Sequence, residues 1–149
     1  MSLWIIALIA VGFGTLILIA LWVVVARVAR KAKERWLMEN AGTEVVMSAN
    51  GPNCAAFPGE NFKLRGNGLL VLTPDYLDFI MWAPEKSLRI PIKNILTADT
   101  VRSFAGRWGR LPMLHIVFMS ETGGMLETAW SMAGAKSWVE EIRRLKKIG

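Results

Sequence analysis

One histidine, His115, and one cysteine, Cys54, bound the chemistry open to this chain. A cysteine nucleophile needs a base, and His115 is the only candidate, with no motif joining the two. Neither a CxxC nor an HxxxH spacing occurs, and a single cysteine excludes both an intrachain disulfide and a cysteine-based structural zinc site. Asp75 and Asp78 straddle a predicted hairpin, while Glu140 and Glu141 are solvated positions on a predicted helix, so no carboxylates are set for acid–base work. The glycines of "GNG" precede a strand, where a phosphate cradle requires a helix. The sequence therefore predicts no catalytic residue, metal, cofactor or small-molecule substrate.

Basic and aromatic residues mixed on a glycine-containing loop offer binding chemistry. "VRSFAGRWGR" brings together Arg102, Phe104, Arg107, Trp108 and Arg110. Exposed Trp and Arg are the residues enriched at interface hot spots, and the same pair suits a lipid surface, with Trp at head-group level and Arg on phosphates. A plain hairpin tip with solvated arginines is the third reading. Counting faces on the neighbouring strand settles one point. Leu114, Ile116 and Phe118 supply its inward row, Trp130 and Trp138 fill the barrel end, and burying Arg107 and Arg110 unpaired would be costly. Trp108 is thus expected to stand exposed at the tip.

Charge and hydropathy show what such a loop is mounted on. Leu3 to Ala26 carries no charge over 24 residues. As a helix it would be roughly 36 Å long, enough for a hydrocarbon core of about 30 Å. Trp4 and Trp22, near its ends, suit the two interfaces. A cleaved signal peptide needs cations before the apolar run, and here they follow it: Arg27, Arg30, Lys31, Lys33 and Arg35. Positive flanks stay in the cytoplasm, so the N-terminus is expected outside and the rest inside, at the cytoplasmic (inner) membrane. Ala7, Ala10 and Gly14 share a helical face on which another helix could pack closely. Residues 27–40 hold +3 of the net charge of +6, which leaves only a mild basic excess on the remainder. A tethered domain of that kind makes a poor nucleic-acid binder. The basic collar sets topology and lies where it can touch anionic lipid heads.

Three parts follow: a membrane helix (1–26), a basic juxtamembrane helix or linker (27–42) and a folded domain (43–149). Within the last, "EVVMSA" reads as a first strand and Asn50 to Gly68 as a long irregular connection. "LLVLT" and "YLDFIMW" form a hairpin across "PD". "APEK" is a turn, and "SLRIPI" alternates with Leu88, Ile90 and Ile92 inward and Arg89 outward. "ILTADTVRSF", "MLHIVFMS" and "MLETAWS" complete about seven antiparallel strands. "GAKSWVEEIRRLKK" closes the chain as an amphipathic helix with Ala135, Trp138, Val139, Ile142 and Leu145 on one face. The fold class is α+β: a bent antiparallel barrel capped by a C-terminal helix.

That order, with "GNGLLVLTPDYLDFI", "SLRIPIKNI" and "AWSMAGAKSWVEEIRRL", resembles the pleckstrin-homology-like superfamily, in particular the bacterial PH-like and GRAM-like domains behind a single membrane span. The resemblance covers roughly Glu44 to Lys147. It implies a scaffold for binding lipids or proteins, with no family-wide catalytic residue. In PH domains that bind phosphoinositides a basic motif on the first long loop holds the phosphates. Here only Lys63 and Arg65 match it, without the fuller cluster. The reading that follows is an accessory or scaffolding subunit of a membrane complex, with membrane lipids and other membrane-protein subunits as partners; the alternative is an anionic head-group module.

Overall fold

The structure is a computed structural model that describes residues 2–59 and 64–148. A single helix, α1 (Leu3–Glu39), runs through the apolar segment and the basic block without a break. Its N-terminal part is long and apolar enough to cross a membrane, and Ala7, Ala10 and Gly14 are exposed along it. The helix stops at Asn40, whose backbone N–H and side-chain Nδ2 both donate to the Trp36 carbonyl at 2.9 Å. This is a side-chain answer to the orphan carbonyls of a helix end.

Seven strands follow: β1 (Met47–Cys54), β2 (Gly66–Leu72), β3 (Tyr76–Trp82), β4 (Glu85–Pro91), β5 (Ile95–Phe104), β6 (Arg107–Met119) and β7 (Met125–Ser131). They form one antiparallel sheet in the order β4-β3-β2-β1-β7-β6-β5, and α2 (Ala135–Ile148) closes it. This is the expected α+β architecture.

The curl of the sheet originates in β1, where the sequence reading needs correction. "NGPNC" belongs to the strand and not to the loop. Between Asn50 and Asn53 the register with β2 shifts, with Gly51 at φ +100° and Pro52 beside it. Glycine and proline here make a bulge, which bends a strand and raises its twist. Beyond it, Asn53 and Cys54 pair with β2 on one side and with Ser131 and Trp130 of β7 on the other. The remaining differences are local. β4 starts at Glu85 after a cis Ala83–Pro84 reversal, and Ile92 is buried from a 3-10 turn after the strand.

The interior is one apolar cluster. Leu70 and Leu72, Leu77, Phe79 and Met81, and Leu114, Ile116 and Phe118 face the buried row of α2, which is the row read from its sequence. Trp130 is fully buried, its ring 5.6 Å from that of Phe79. Gly68 allows β2 and β3 to approach, since a Cβ there would lie 2.2 Å from the Ile80 carbonyl oxygen.

Candidate functional site

The residues with catalytic potential are held apart and engaged elsewhere. Cys54 is fully buried, 3.6 Å from the Thr128 hydroxyl, and burial pushes its thiol pKa up. That is the opposite of what a nucleophile requires. His115 lies 3.0 Å from the Glu127 carboxylate and packs on the Phe104 ring. Among the described residues no group of three or more His, Cys, Asp or Glu side chains is placed to hold a metal.

Two other features carry the geometry. The first is a junction the sequence reading missed. Trp36, in the basic block, is buried against Leu69, Val71 and Ile80 on the outer face of β2 and β3. Its Nε1–H donates to Asp78 Oδ2 at 2.8 Å. Asp78 is buried and also accepts from Arg89 Nε and Nη2 at 2.8 and 2.7 Å. Arg89 Nη2 continues to Asn40 Oδ1 at 2.7 Å, and the guanidinium lies over the Tyr76 ring. Bonding to Asp78 raises the Arg89 pKa, so the guanidinium keeps its charge. One carboxylate thus ties the helix to two strands, with a fork geometry that lysine would not supply. Arg35 adds an exposed ion pair with Glu85.

These contacts set the direction in which α1 leaves the domain. Its earlier turns, at Val28, Lys31 and Ala32, line a cleft with residues 80–82 and 85–87. Its last turn, at Trp36, Glu39 and Asn40, lines a second with residues 78–80 and 87–89. Toward its N-terminus the helix therefore advances to the β3–β4 reversal and departs past it.

The second feature is the β5–β6 hairpin, whose turn is tied by side-chain hydrogen bonds to Asn53 near the end of β1 and to Arg65 just before β2. The β5–β6 hairpin turns through Ala105 and Gly106, at φ +51° and +76°. Positive φ at both central residues is the type I′ pattern of tight hairpins. Of the two glycines of this loop only Gly106 serves the reversal, and Gly109 lies within β6. There a Cβ would come 2.7 Å from the Leu111 carbonyl oxygen. Between the pairs Ser103↔Trp108 and Val101↔Met113, Gly109, Arg110, Leu111 and Pro112 stand opposite Arg102 alone, a wide bulge. Trp108 is 80% exposed, and Arg102, Arg110 and Leu111 are exposed with it. Phe104 is half-buried and packs on His115, on the face of β6 opposite its inward row.

The hairpin is braced. Arg107 Nη1 donates to Asn53 Oδ1 at 2.5 Å, and Arg65 Nη2 donates to the Ala105 carbonyl at 3.2 Å. Arg107 and Arg65 are thereby spoken for within the chain, while Arg102, Trp108 and Arg110 remain on the outer surface. Lys63 lies outside the described residues. Of the juxtamembrane cations, Lys31 and Arg35 turn toward the domain, and Arg27, Arg30 and Lys33 do not line the cleft. Trp4 and Trp22 are exposed on α1.

No family model matches the chain, and no curated protein matches it. Among solved structures it is similar to the C-terminal domain of an unknown protein from Leishmania infantum, at 16% identity and TM-score 0.51, over 78% of this chain and 96% of that one. That likeness shows a shared fold. It is also similar to the DH/PH domains of PDZ-RhoGEF in their complex with GTP-gamma-S activated RhoA, at 14% identity and TM-score 0.48, over 78% of this chain and 33% of that one.

Proposed function

We propose that this chain is a non-catalytic binding module of pleckstrin-homology-like type, anchored by residues 3–26 with its N-terminus outside and its domain in the cytoplasm. It acts as an accessory subunit that docks a membrane-protein partner through the β5–β6 hairpin. The observation that carries this reading is Trp108, 80% exposed on a braced hairpin. A large aromatic held out from the surface on a fixed backbone loses little entropy on binding, and aromatic and Arg anchors dominate interface energies. The element order, seven antiparallel strands closed by one helix, is in keeping with the pleckstrin-homology-like resemblance.

The head-group alternative, on Lys63 and Arg65, has less behind it, because the Arg65 guanidinium braces the hairpin turn.

Trp108→Ala in the full chain, purified in mild detergent, tests the proposal. Loss of a stoichiometric partner is expected, with thermal unfolding changed by less than about 0.5 kcal/mol, as for other surface substitutions. A partner retained in full would refute the hairpin as the docking surface. Destabilisation of about 3–5 kcal/mol would make Trp108 part of the core.

A further inference from the structure

We infer that the protein segment docking on the β5–β6 hairpin is acidic, setting carboxylates on Arg102 and Arg110 and an apolar side chain on Trp108. The inference rests on the hairpin being the docking surface and adds the chemistry of what docks there.

The partners of the arginines point to it. Elsewhere in residues 43–149 each arginine holds a carboxylate: Arg89 on Asp78, Arg143 on Asp99 and Arg144 on Glu141. Around the hairpin gather Arg65, Arg102, Arg107 and Arg110, and among the described residues none of these contacts a carboxylate. Arg65 and Arg107 donate to neutral acceptors, the Ala105 carbonyl and Asn53 Oδ1. Those bonds fix the side chains and leave their charges uncompensated. Arg102 and Arg110 are exposed and have no partner among the described residues. The carboxylates of β5 and β7 are taken up elsewhere, Asp99 by Arg143 and Glu127 by His115.

The register places the free charges beside the free aromatic. Arg102 precedes Ser103, which pairs with Trp108, and stands opposite the bulge that contains Arg110. Each guanidinium offers N–H donors in a fixed fork that a carboxylate matches with both oxygens. An apolar side chain between acidic ones therefore fits Trp108 and its two neighbours together, and the uncompensated field of all four arginines favours its approach.

A bilayer also presents anions, but only to a hairpin lying at head-group depth. The contacts that fasten α1 are to β2, β3 and β4, and none of them sets the depth of the hairpin. A protein segment meets no such condition.

The test is fluorescence anisotropy on the full chain in an uncharged detergent. The probes are a labelled glutamate peptide with one central leucine and its glutamine counterpart. The glutamate peptide should bind at least about tenfold more tightly, and Arg102→Gln and Arg110→Gln should each weaken it about two- to fivefold, the scale of one exposed ion pair. Arg144→Gln, which removes an equal charge from α2, should leave it unchanged. Added salt should erode the preference, since exposed charges are screened beyond about 10 Å at 0.1 M. Equal binding of the two peptides overturns the inference. So does an Arg144→Gln loss as large as that of Arg110→Gln, which would mean attraction to net charge alone. Displacement of the peptide by phosphatidylglycerol added to the micelles, with the same dependence on Arg102 and Arg110, would give the site to a lipid head group and also overturns it. Trp108→Ala reads the docking surface separately. Glutamate binding that depends on the arginines but not on Trp108 refutes the anchor and leaves the acidic preference, whereas equal binding of both peptides that Trp108→Ala abolishes refutes the acidic preference alone.

Discussion

Replacing Trp36 with alanine should undock the end of α1 from the domain and leave the barrel folded. A tryptophan side chain carries about 150–250 Å² of surface. At 5% exposure nearly all of it is covered, mainly by Leu69, Val71 and Ile80. At about 25 cal/mol per Å² that burial stabilises docking by about 4–6 kcal/mol, and aromatic truncations cost about 3–5 kcal/mol in practice. Losing the indole N–H adds little, because Asp78 keeps both bonds from Arg89. A cost of 3–5 kcal/mol lowers the docking constant by a factor of about 10² to 10³·⁵, since each 1.4 kcal/mol is tenfold. Hydrogen exchange on the full chain reads this directly. Amides of residues 28–40 should lose about two decades of protection or more, while those of β5, β6, β7 and α2 keep theirs, because the Trp36 cluster is separate from the interior cluster. Trp36→Phe retains most ring contact and loses only the N–H donor, so its effect should be clearly smaller. Unchanged protection at 28–40, or an equal loss across β5–β7, would refute the reasoning.

Other outcomes follow from the same packing. Gly68→Ala should prevent the barrel from folding, since its Cβ would meet the Ile80 carbonyl oxygen at 2.2 Å and the Phe79 ring at 2.7 Å; a soluble, cooperatively melting variant would contradict this. Native Cys54 should resist thiol reagents at neutral pH and react once unfolded, because it is fully buried with a raised pKa; fast native labelling would contradict it. The same shift has a sign in stability. An unfolded thiol ionises near about 8.5 while the folded one holds its proton, so the contribution is intact below that pH and falls above it. The loss is at most about 1.4 kcal/mol per pH unit, and Cys54→Ala should lack it when the two are unfolded in parallel. A fragment of residues 43–149, which bares Leu69, Val71 and Ile80, should self-associate more than one of residues 27–149 in gel filtration; identical elution would show that Trp36 does not shield that face.

How much of this was legible depended on whether one face of an element or two faces were covered. β5 and β7 were read with their observed bounds, although neither buries every second residue. The buried row of α2 came directly from its 3.6-residue period, as did the exposure of Trp108 from counting the inward row of β6. The helix junction was missed because its signal looks like no pattern at all. "LLVL" in β2 is a continuous apolar run, and such a strand must be covered on both sides. Leu70 and Leu72 face the interior, so Leu69 and Val71 required a cover, and Trp36 in an otherwise polar block was the available apolar group. Asp78 was legible as outward-facing, but its bond to Arg89 depends on their cross-strand pairing, which no local pattern carries. β1 failed for a different reason. Gly51 and Pro52 are turn residues in most settings, and only the pairing of Cys54 with both Gly66 and Trp130 makes them a bulge.

The two halves of the site reinforce one another through the direction of α1. A flexible linker would let the domain tumble beneath its anchor and present any surface to any neighbour. Here the helix runs unbroken from Leu3 to Glu39, and the Trp36–Asp78–Arg89–Asn40 chain fastens it to the outer face of the sheet. The last turns of α1 retreat from the β3–β4 reversal, and the β5–β6 hairpin is tied to Asn53 and Arg65. Helix and hairpin are thus both fixed to the same sheet. If the apolar part of α1 crosses a bilayer, Trp108, Arg102 and Arg110 are held at one orientation to the membrane, and a partner must meet them in that orientation. The docked tryptophan and the exposed one therefore have linked consequences. Undocking by Trp36→Ala should weaken partner capture through Trp108 even though no residue of the hairpin has changed. Capture unaffected by undocking would leave the hairpin as a contact surface and remove the rigid mount from its function.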